Sequence, residues 1–239
     1  MISEKIKIPF SWDRRRPYRM EGLLYLPPLF FSHAHYKALF DLKTLFPNYS
    51  TIQIEFCSGN GQWIAEKAQA NPQQAWIAVE KRSDRARKIW KKVKDQKLNN
   101  VFVVWGEAEV FSKYYLDEDA VNEVYVNFPD PWPKSKHEKH RLLDHSFLSS
   151  LKKILIENGS ITIATDDKPS ALRMIDLFLI DNNWVSKFSA PYYTHSWHEY
   201  GDSFFKALWA SQNKQIFYLQ FEWKKENYAS GSSRNTVGL

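Results

Sequence analysis

The stretch Thr51-Ile52-Gln53-Ile54-Glu55-Phe56-Cys57-Ser58-Gly59-Asn60-Gly61 decides the fold of this 239-residue chain. Its first six residues have the β-branched, apolar alternation of a strand, and the last five form a glycine turn from which a helix runs from Gln62 to about Ala70. The plan then repeats. Ala75 to Glu80 reads as a second strand, with Ser83 as N-cap of a helix reaching about Lys97. Val101 to Trp105 is a third strand and Asn122 to Phe128 a fourth. Beyond a proline-rich loop, a helix near His145 to Ile156 stops at Asn158-Gly159, and Ser160 to Thr165 is a fifth strand. A helix from Ser170 to about Asn182, a short strand at Trp184 to Phe188 and a long one at Gln215 to Trp223 complete the series. Strands alternating with helical spacers predict one α/β domain whose mostly parallel sheet is covered on both faces.

Outward from this core, residues 1–50 hold five of the eleven prolines and show no clear period, so they read as an extension with one helix near His35 to Phe46. Residues 51–228 form the main domain, and the Ser/Gly/Asn-rich residues 229–239 are expected to be a disordered tail. With 44% hydrophobic and 16% aromatic residues, the chain has ample material for a core. The single cysteine, Cys57, excludes an intramolecular disulfide and a Cys-rich zinc site, and points to a reducing compartment. The N-terminus lacks the charged-then-apolar order of a secretory signal, and no window approaches the roughly 20 apolar residues of a membrane span. A soluble, cytoplasmic protein with no membrane partner is the expectation.

In an open parallel sheet, ligands bind at the carboxyl ends of the strands, beside the first glycine turn. Here the turn keeps only Gly59 and Gly61 of a dinucleotide fingerprint and places Glu55 just ahead of them. By itself it also fits a plain tight turn. Glu80, 19 residues after Gly61, ends the second strand where an acid can accept hydrogen bonds from both ribose hydroxyls. Glu107 follows the third strand, positioned to meet an adenine edge. Three acids at successive strand ends favour a nucleoside ligand. Glu55 would repel a pyrophosphate and attract an ammonium and a sulfonium, which favours S-adenosylmethionine over a nicotinamide dinucleotide. A P-loop is absent.

The fourth strand runs into Asn127-Phe128-Pro129-Asp130-Pro131-Trp132-Pro133-Lys134, where three prolines stiffen a loop that presents an acid, an aromatic and a cation. Asp166, after the fifth strand, adds an acid on the same side; a helix N-cap is its alternative reading. Charge is concentrated: Lys81 to Lys97 hold nine basic residues against two acidic ones, an excess beyond the chain's net +6. Lys134, Lys136, Lys139 and Arg141, interleaved with His137 and His140, form a second group, and Arg14, Arg15, Arg16 and Arg19 a third. Clusters flanking one crevice suit a phosphate backbone. The two histidines have no third ligand at metal spacing, so no metal is expected.

From Ile54 to Lys224 these features resemble the bacterial tRNA (guanine-N(7)-)-methyltransferases, which are class I, S-adenosylmethionine-dependent enzymes. The most specific element is Phe128-Pro129-Asp130-Pro131-Trp132-Pro133-Lys134, followed by Lys136-His137 and Lys139-His140-Arg141-Leu142. The resemblance implies a Rossmann-like, doubly wound, mostly parallel seven-stranded sheet with an antiparallel last strand. It also implies methyl transfer to nitrogen 7 of a guanine in the variable loop of tRNA; whether the chain is a monomer or a homodimer is left open by the sequence. Glu55, Gly59, Gly61, Glu80 and Glu107 would then hold the cofactor, Asp130 would act at the junction of cofactor and substrate, and Lys134 and Asp166 would contact the substrate. The family's Thr-x-Phe/Tyr-Glu substrate motif falls on Ser203-Phe204-Phe205-Lys206, with lysine replacing the glutamate; Thr194 and Glu199 offer another placement. Cys57 stands where the family usually has glycine. A catalytically degenerate RNA-binding protein of the same fold is the alternative these departures leave open.

Overall fold

The computed structural model describes residues 6, 8–133, 135–201 and 214–225. In chain order these form β1 (Tyr18–Met20), β2 (Leu23–Tyr25), a 3-10 helix (His33–Leu39), α1 (Leu42–Leu45), β3 (Ile52–Phe56), α2 (Gln62–Ala70), β4 (Ala75–Glu80) and α3 (Ser83–Asp95). There follow β5 (Val101–Trp105), α4 (Ala108–Tyr114), β6 (Val121–Asn127), a 3-10 helix (Ser135–His140), α5 (His145–Ile154), β7 (Leu155–Thr165), α6 (Lys168–Leu179), β8 (Trp184–Ser186) and β9 (Phe217–Trp223).

All seven expected strands are present in one sheet, but that sheet has nine, in the order β1-β2-β5-β4-β3-β6-β7-β9-β8. The extra pair comes from the segment read as an extension. β2 lies parallel to β5, with Leu23 opposite Val103, and β1 folds back antiparallel on β2. The turn between them is held by the Trp90 indole, which donates to the Glu21 carbonyl at 2.9 Å. β2 through β7 run parallel, and β9 is inserted antiparallel between β7 and β8.

Period-two alternation divides the central strands between two cores. Ile54, Phe56, Ile77 and Val79 face the α4, α5 and α6 side, while Trp76, Ala78 and Val103 face α2 and α3. In α3 the buried residues Ala86, Ile89, Trp90 and Val93 recur at helical spacing, which turns most of its basic side chains outward. No described helix is long and apolar enough to cross a membrane.

Several local expectations are corrected. Ser83 is the first residue of α3, and its N-cap is Arg82, in extended conformation. The N-terminal segment has a 3-10 turn followed by the short α1, capped by Asp41, in place of one helix. α4 was not anticipated from the sequence. β7 starts at Leu155, before Asn158-Gly159, so those residues lie inside a strand with Asn158 at φ 62°. The tail 229–239 falls outside the described residues.

Candidate active site

The order in which successive strands are added reverses between β3 and β6: β3, β4 and β5 step one way across the sheet, and β6 and β7 step the other, all running parallel. A crevice outside the strand ends is expected at such a switch point. One of about 370 Å³ lies there, lined by Glu80, Lys81, Glu107, Asn127 and Asp130 among others. Beyond Lys81, Gly106 and Glu107 it adjoins a second hollow of about 450 Å³ whose far wall includes Arg15, Tyr25 and Pro28 from the N-terminal segment.

The glycine turn is built by local hydrogen bonds. Ser58 Oγ donates to the Glu55 carbonyl at 2.9 Å, and the Gly61 amide donates to the Ser58 carbonyl at 2.9 Å. Cys57, Gly59 and Gly61 all have positive φ, at 62°, 58° and 69°. For glycine this is free; for Cys57 it costs on the order of 1 kcal/mol. The turn therefore tolerates the side chain without moving out of the left-handed region. Burial pushes the Cys57 thiol up to about 12, so it stays protonated at neutral pH and is a wall of the crevice, not a nucleophile.

Glu80 is 4% exposed, and its two oxygens accept from the Gly59 and Arg82 amides, each at 2.9 Å. It thus joins the glycine turn to the start of α3. Burial still raises its pKa, against those two bonds. Glu107 is exposed, at the N-cap position of α4, and makes no capping bond with its side chain. Asp130 is exposed and faces Lys81 across the crevice at 3.5 Å. The proline loop is held by Arg141, whose Nε and Nη2 both donate to the Trp132 carbonyl at 3.2 Å, and the Trp132 ring lies 5.2 Å from that of His140.

Glu55 departs from the expected picture of a rim acid. It is 1% exposed and sits behind Asn127, whose Nδ2 donates to Glu55 Oε1 at 2.7 Å. Its other oxygen, Oε2, is buried with no hydrogen-bond partner among the described residues, because the nearby Ser58 hydroxyl is turned to the Glu55 backbone carbonyl. Burial raises the carboxyl to about 7 from 4.5, despite the Asn127 bond. An acid whose folded pKa is the higher one binds more protons folded than unfolded between those values, so stability falls as pH rises through that window. The cofactor-free protein should lose about 2–3 kcal/mol from this group between pH 5 and pH 8. Urea denaturation of wild type and Glu55→Gln checks this; equal pH slopes would show that Glu55 is not the cause.

Asp166 does not line the crevice; it pairs with Lys214 at 3.2 Å. Nor is it the helix cap, because Asp167 accepts from the Ser170 amide at the start of α6. Lys134, Ser203 and Lys206 lie outside the described residues. In the other placement of the substrate motif, Thr194 Oγ1 is used locally, donating to the Ser196 carbonyl at 3.0 Å, and the Glu199 carbonyl accepts from Lys67 at 2.7 Å. Sequence reasoning missed Asn127, Lys81 and Glu109 as crevice residues. The sequence places Asn127 where the fourth strand runs into the proline loop, but with the strand ending at Phe128; the structure ends β6 at Asn127.

A parallel sheet with this switch point, a glycine turn and strand-end carboxylates around one crevice defines a Rossmann-like class I methyltransferase. Two solved structures share the fold: a 30S ribosomal A1408 methyltransferase from an uncultured bacterium (TM-score 0.55, 15% identity, 78% of this chain and 93% of that one) and the 16S rRNA methyltransferase KamB (TM-score 0.54, 16% identity, 77% and 94%). A family model described as putative methyltransferase matches residues 50–218. The tRNA (guanine-N(7)-)-methyltransferase of Chlamydia felis is 40% identical over 96% of this chain and 100% of its own length, and that of Chlamydia abortus 39% over 92% and 97%. The chain belongs to the tRNA (guanine-N(7)-)-methyltransferase family.

Proposed function

We propose that this protein transfers a methyl group from S-adenosylmethionine to nitrogen 7 of a guanine in tRNA, working in the cytoplasm. The observation that carries the reading is that Glu80, Glu107 and Asp130, delivered by three different strand ends, line one crevice. The residues fit the cofactor. Each oxygen of Glu80 gives one acceptor site to a backbone amide, which leaves others for ribose hydroxyls. Glu107 is free of a capping role and can receive an adenine amino group. The unpartnered, buried Glu55 Oε2 is a place for an ammonium.

When bound, the cofactor supplies an electrophilic methyl group on a sulfonium. Guanine nitrogen 7 has a free lone pair and loses no proton on methylation, so the chain needs no strong general base. Its task is positioning and charge. Asp130, between the first two prolines of the stiff loop, orients the guanine and faces the positive charge that grows on the purine. The outward cations of α3 and the basic residues after the proline loop hold the phosphate backbone. Lys134, Asp166, Ser203 and Lys206 are assigned to the substrate by the family resemblance.

Incubating the protein with unmodified tRNA and methyl-labelled cofactor, then mapping the label, tests the reading. Label on nitrogen 7 of one guanine is expected. Label on another atom, or cofactor binding with no transfer to any tRNA, would overturn it.

A further inference from the structure

We infer that Tyr200 is a positioning residue for the amino-acid end of the cofactor: its hydroxyl holds the amide of Asn127, the crevice-wall group that covers Glu55, in the orientation that engages Glu55 Oε1 and leaves the buried Oε2 as the unpartnered acceptor for an ammonium. The inference rests on the reading of Glu55 as the ammonium's partner.

Three buried groups form a line across the switch point. Tyr200 donates to Asn127 Oδ1 at 2.6 Å, and Asn127 Nδ2 donates to Glu55 Oε1 at 2.7 Å. Tyr200, Asn127 and Glu55 are 1%, 5% and 1% exposed. The two ends of an amide are chemically different. With Asn127 turned over, its oxygen would face Glu55 Oε1, and with Glu55 ionised two acceptors would meet without a proton between them. The acceptor-only carboxylate of Glu55 sets the choice; donation from Tyr200 then ties down the amide oxygen and polarises the amide so that Nδ2 becomes the stronger donor to Glu55.

Among the described residues the Tyr200 hydroxyl has no hydrogen bond besides that to Asn127. The Tyr200 backbone is held independently, because Trp63 Nε1 donates to its carbonyl at 2.9 Å and Lys67 holds the preceding carbonyl of Glu199 at 2.7 Å. The Tyr200 ring is packed against Trp63 and Tyr218, with centroids 5.4 and 4.8 Å away. Phenylalanine therefore keeps the packing and the backbone ties and removes only the bond to Asn127. Asn127 lines the crevice and Tyr200 does not, so Tyr200 acts through the amide.

Titration calorimetry with two ligands tests this in wild type, Tyr200→Phe, Glu55→Gln and the double variant. S-adenosylmethionine carries the ammonium; 5′-methylthioadenosine keeps the nucleoside and sulfur but lacks the amino-acid end. Tyr200→Phe should weaken S-adenosylmethionine about tenfold and leave methylthioadenosine unchanged. On the Glu55→Gln background, Tyr200→Phe should cost S-adenosylmethionine little more. Equal loss of both ligands, no loss of either, or additive loss in the double variant would overturn the role of Tyr200 while Glu55→Gln still weakens binding. Undiminished S-adenosylmethionine binding by Glu55→Gln would overturn the reading of Glu55 and this inference with it.

Discussion

Asp130→Ala should lower the single-turnover rate of methylation, at saturating tRNA and cofactor, by on the order of 10²-fold or more. During the transfer a positive charge leaves sulfur and appears on the purine. A carboxylate on the purine side gains interaction energy as that happens, and only such a gain accelerates the step. Asp130→Asn separates the two tasks given to this residue. Asparagine keeps the size and an acceptor oxygen, so it can still orient a guanine, but it carries no charge. If charge dominates, Asn should be nearly as slow as Ala. Folding should hardly change in either variant, since the only ion pair of Asp130 among the described residues, with Lys81, lies between exposed side chains, where such pairs contribute about 0–1 kcal/mol. An unchanged single-turnover rate in Asp130→Ala would remove Asp130 from the mechanism.

What the sequence discloses of this site follows from how local its causes are. β3, β4 and β5 were legible because alternation and flanking turn residues act within a few positions. β1 and β2 were not: each has three residues, and what makes them strands is pairing, Leu23 to Val103 and Tyr18 to Tyr25, not pattern. α4 has seven residues and no side-chain cap, so neither start signal nor period announced it. The same division runs through the site. Gly59, Gly61 and Glu80 declare themselves by spacing, and the structure joins them through the bond from the Gly59 amide to Glu80.

The depth of Glu55 was hidden, because the group that covers it, Asn127, is 72 positions away in sequence. Strand alternation puts it on the face of Gln53 and opposite Ile54 and Phe56, but that does not say whether the strand end meets solvent. Tyr200 had no signal at all. Its hydroxyl matters only because the chain ahead of it, through Thr194, pairs with Tyr218 of β9, which lies beside β7, and that return is a property of topology. Local chemistry therefore told which ligand to expect, while packing decided how each acid is charged.

Gly61→Ala should destabilise the protein by roughly 2–4 kcal/mol, and the cause can be divided between two terms. Gly61 has φ 69°, which charges any side chain on the order of 1 kcal/mol, partly offset by alanine's smaller unfolded-state entropy. A Cβ at this position would also lie 2.8 and 2.9 Å from Ile89 Cγ1 and Cγ2, inside contact distance. Ile89 is 0% exposed within α3 and has nowhere to go. So α2, which Gly61 caps, must be pushed away from α3, at about 1–3 kcal/mol for overpacking. Denaturation of Gly61→Ala in the wild-type and Ile89→Ala backgrounds separates the terms: removing Ile89 Cγ1 and Cγ2 should bring the cost of Gly61→Ala down toward the backbone term, with only the contact to Ile89 Cβ at 3.1 Å remaining. An equal cost in both backgrounds would show that helix approach is not what demands glycine. The cofactor should report the same displacement. α2 starts from the turn whose Gly59 amide holds Glu80, so forcing the helix outward shifts the ribose acid, and the loss of S-adenosylmethionine affinity caused by Gly61→Ala should, like its stability cost, be smaller in the Ile89→Ala background.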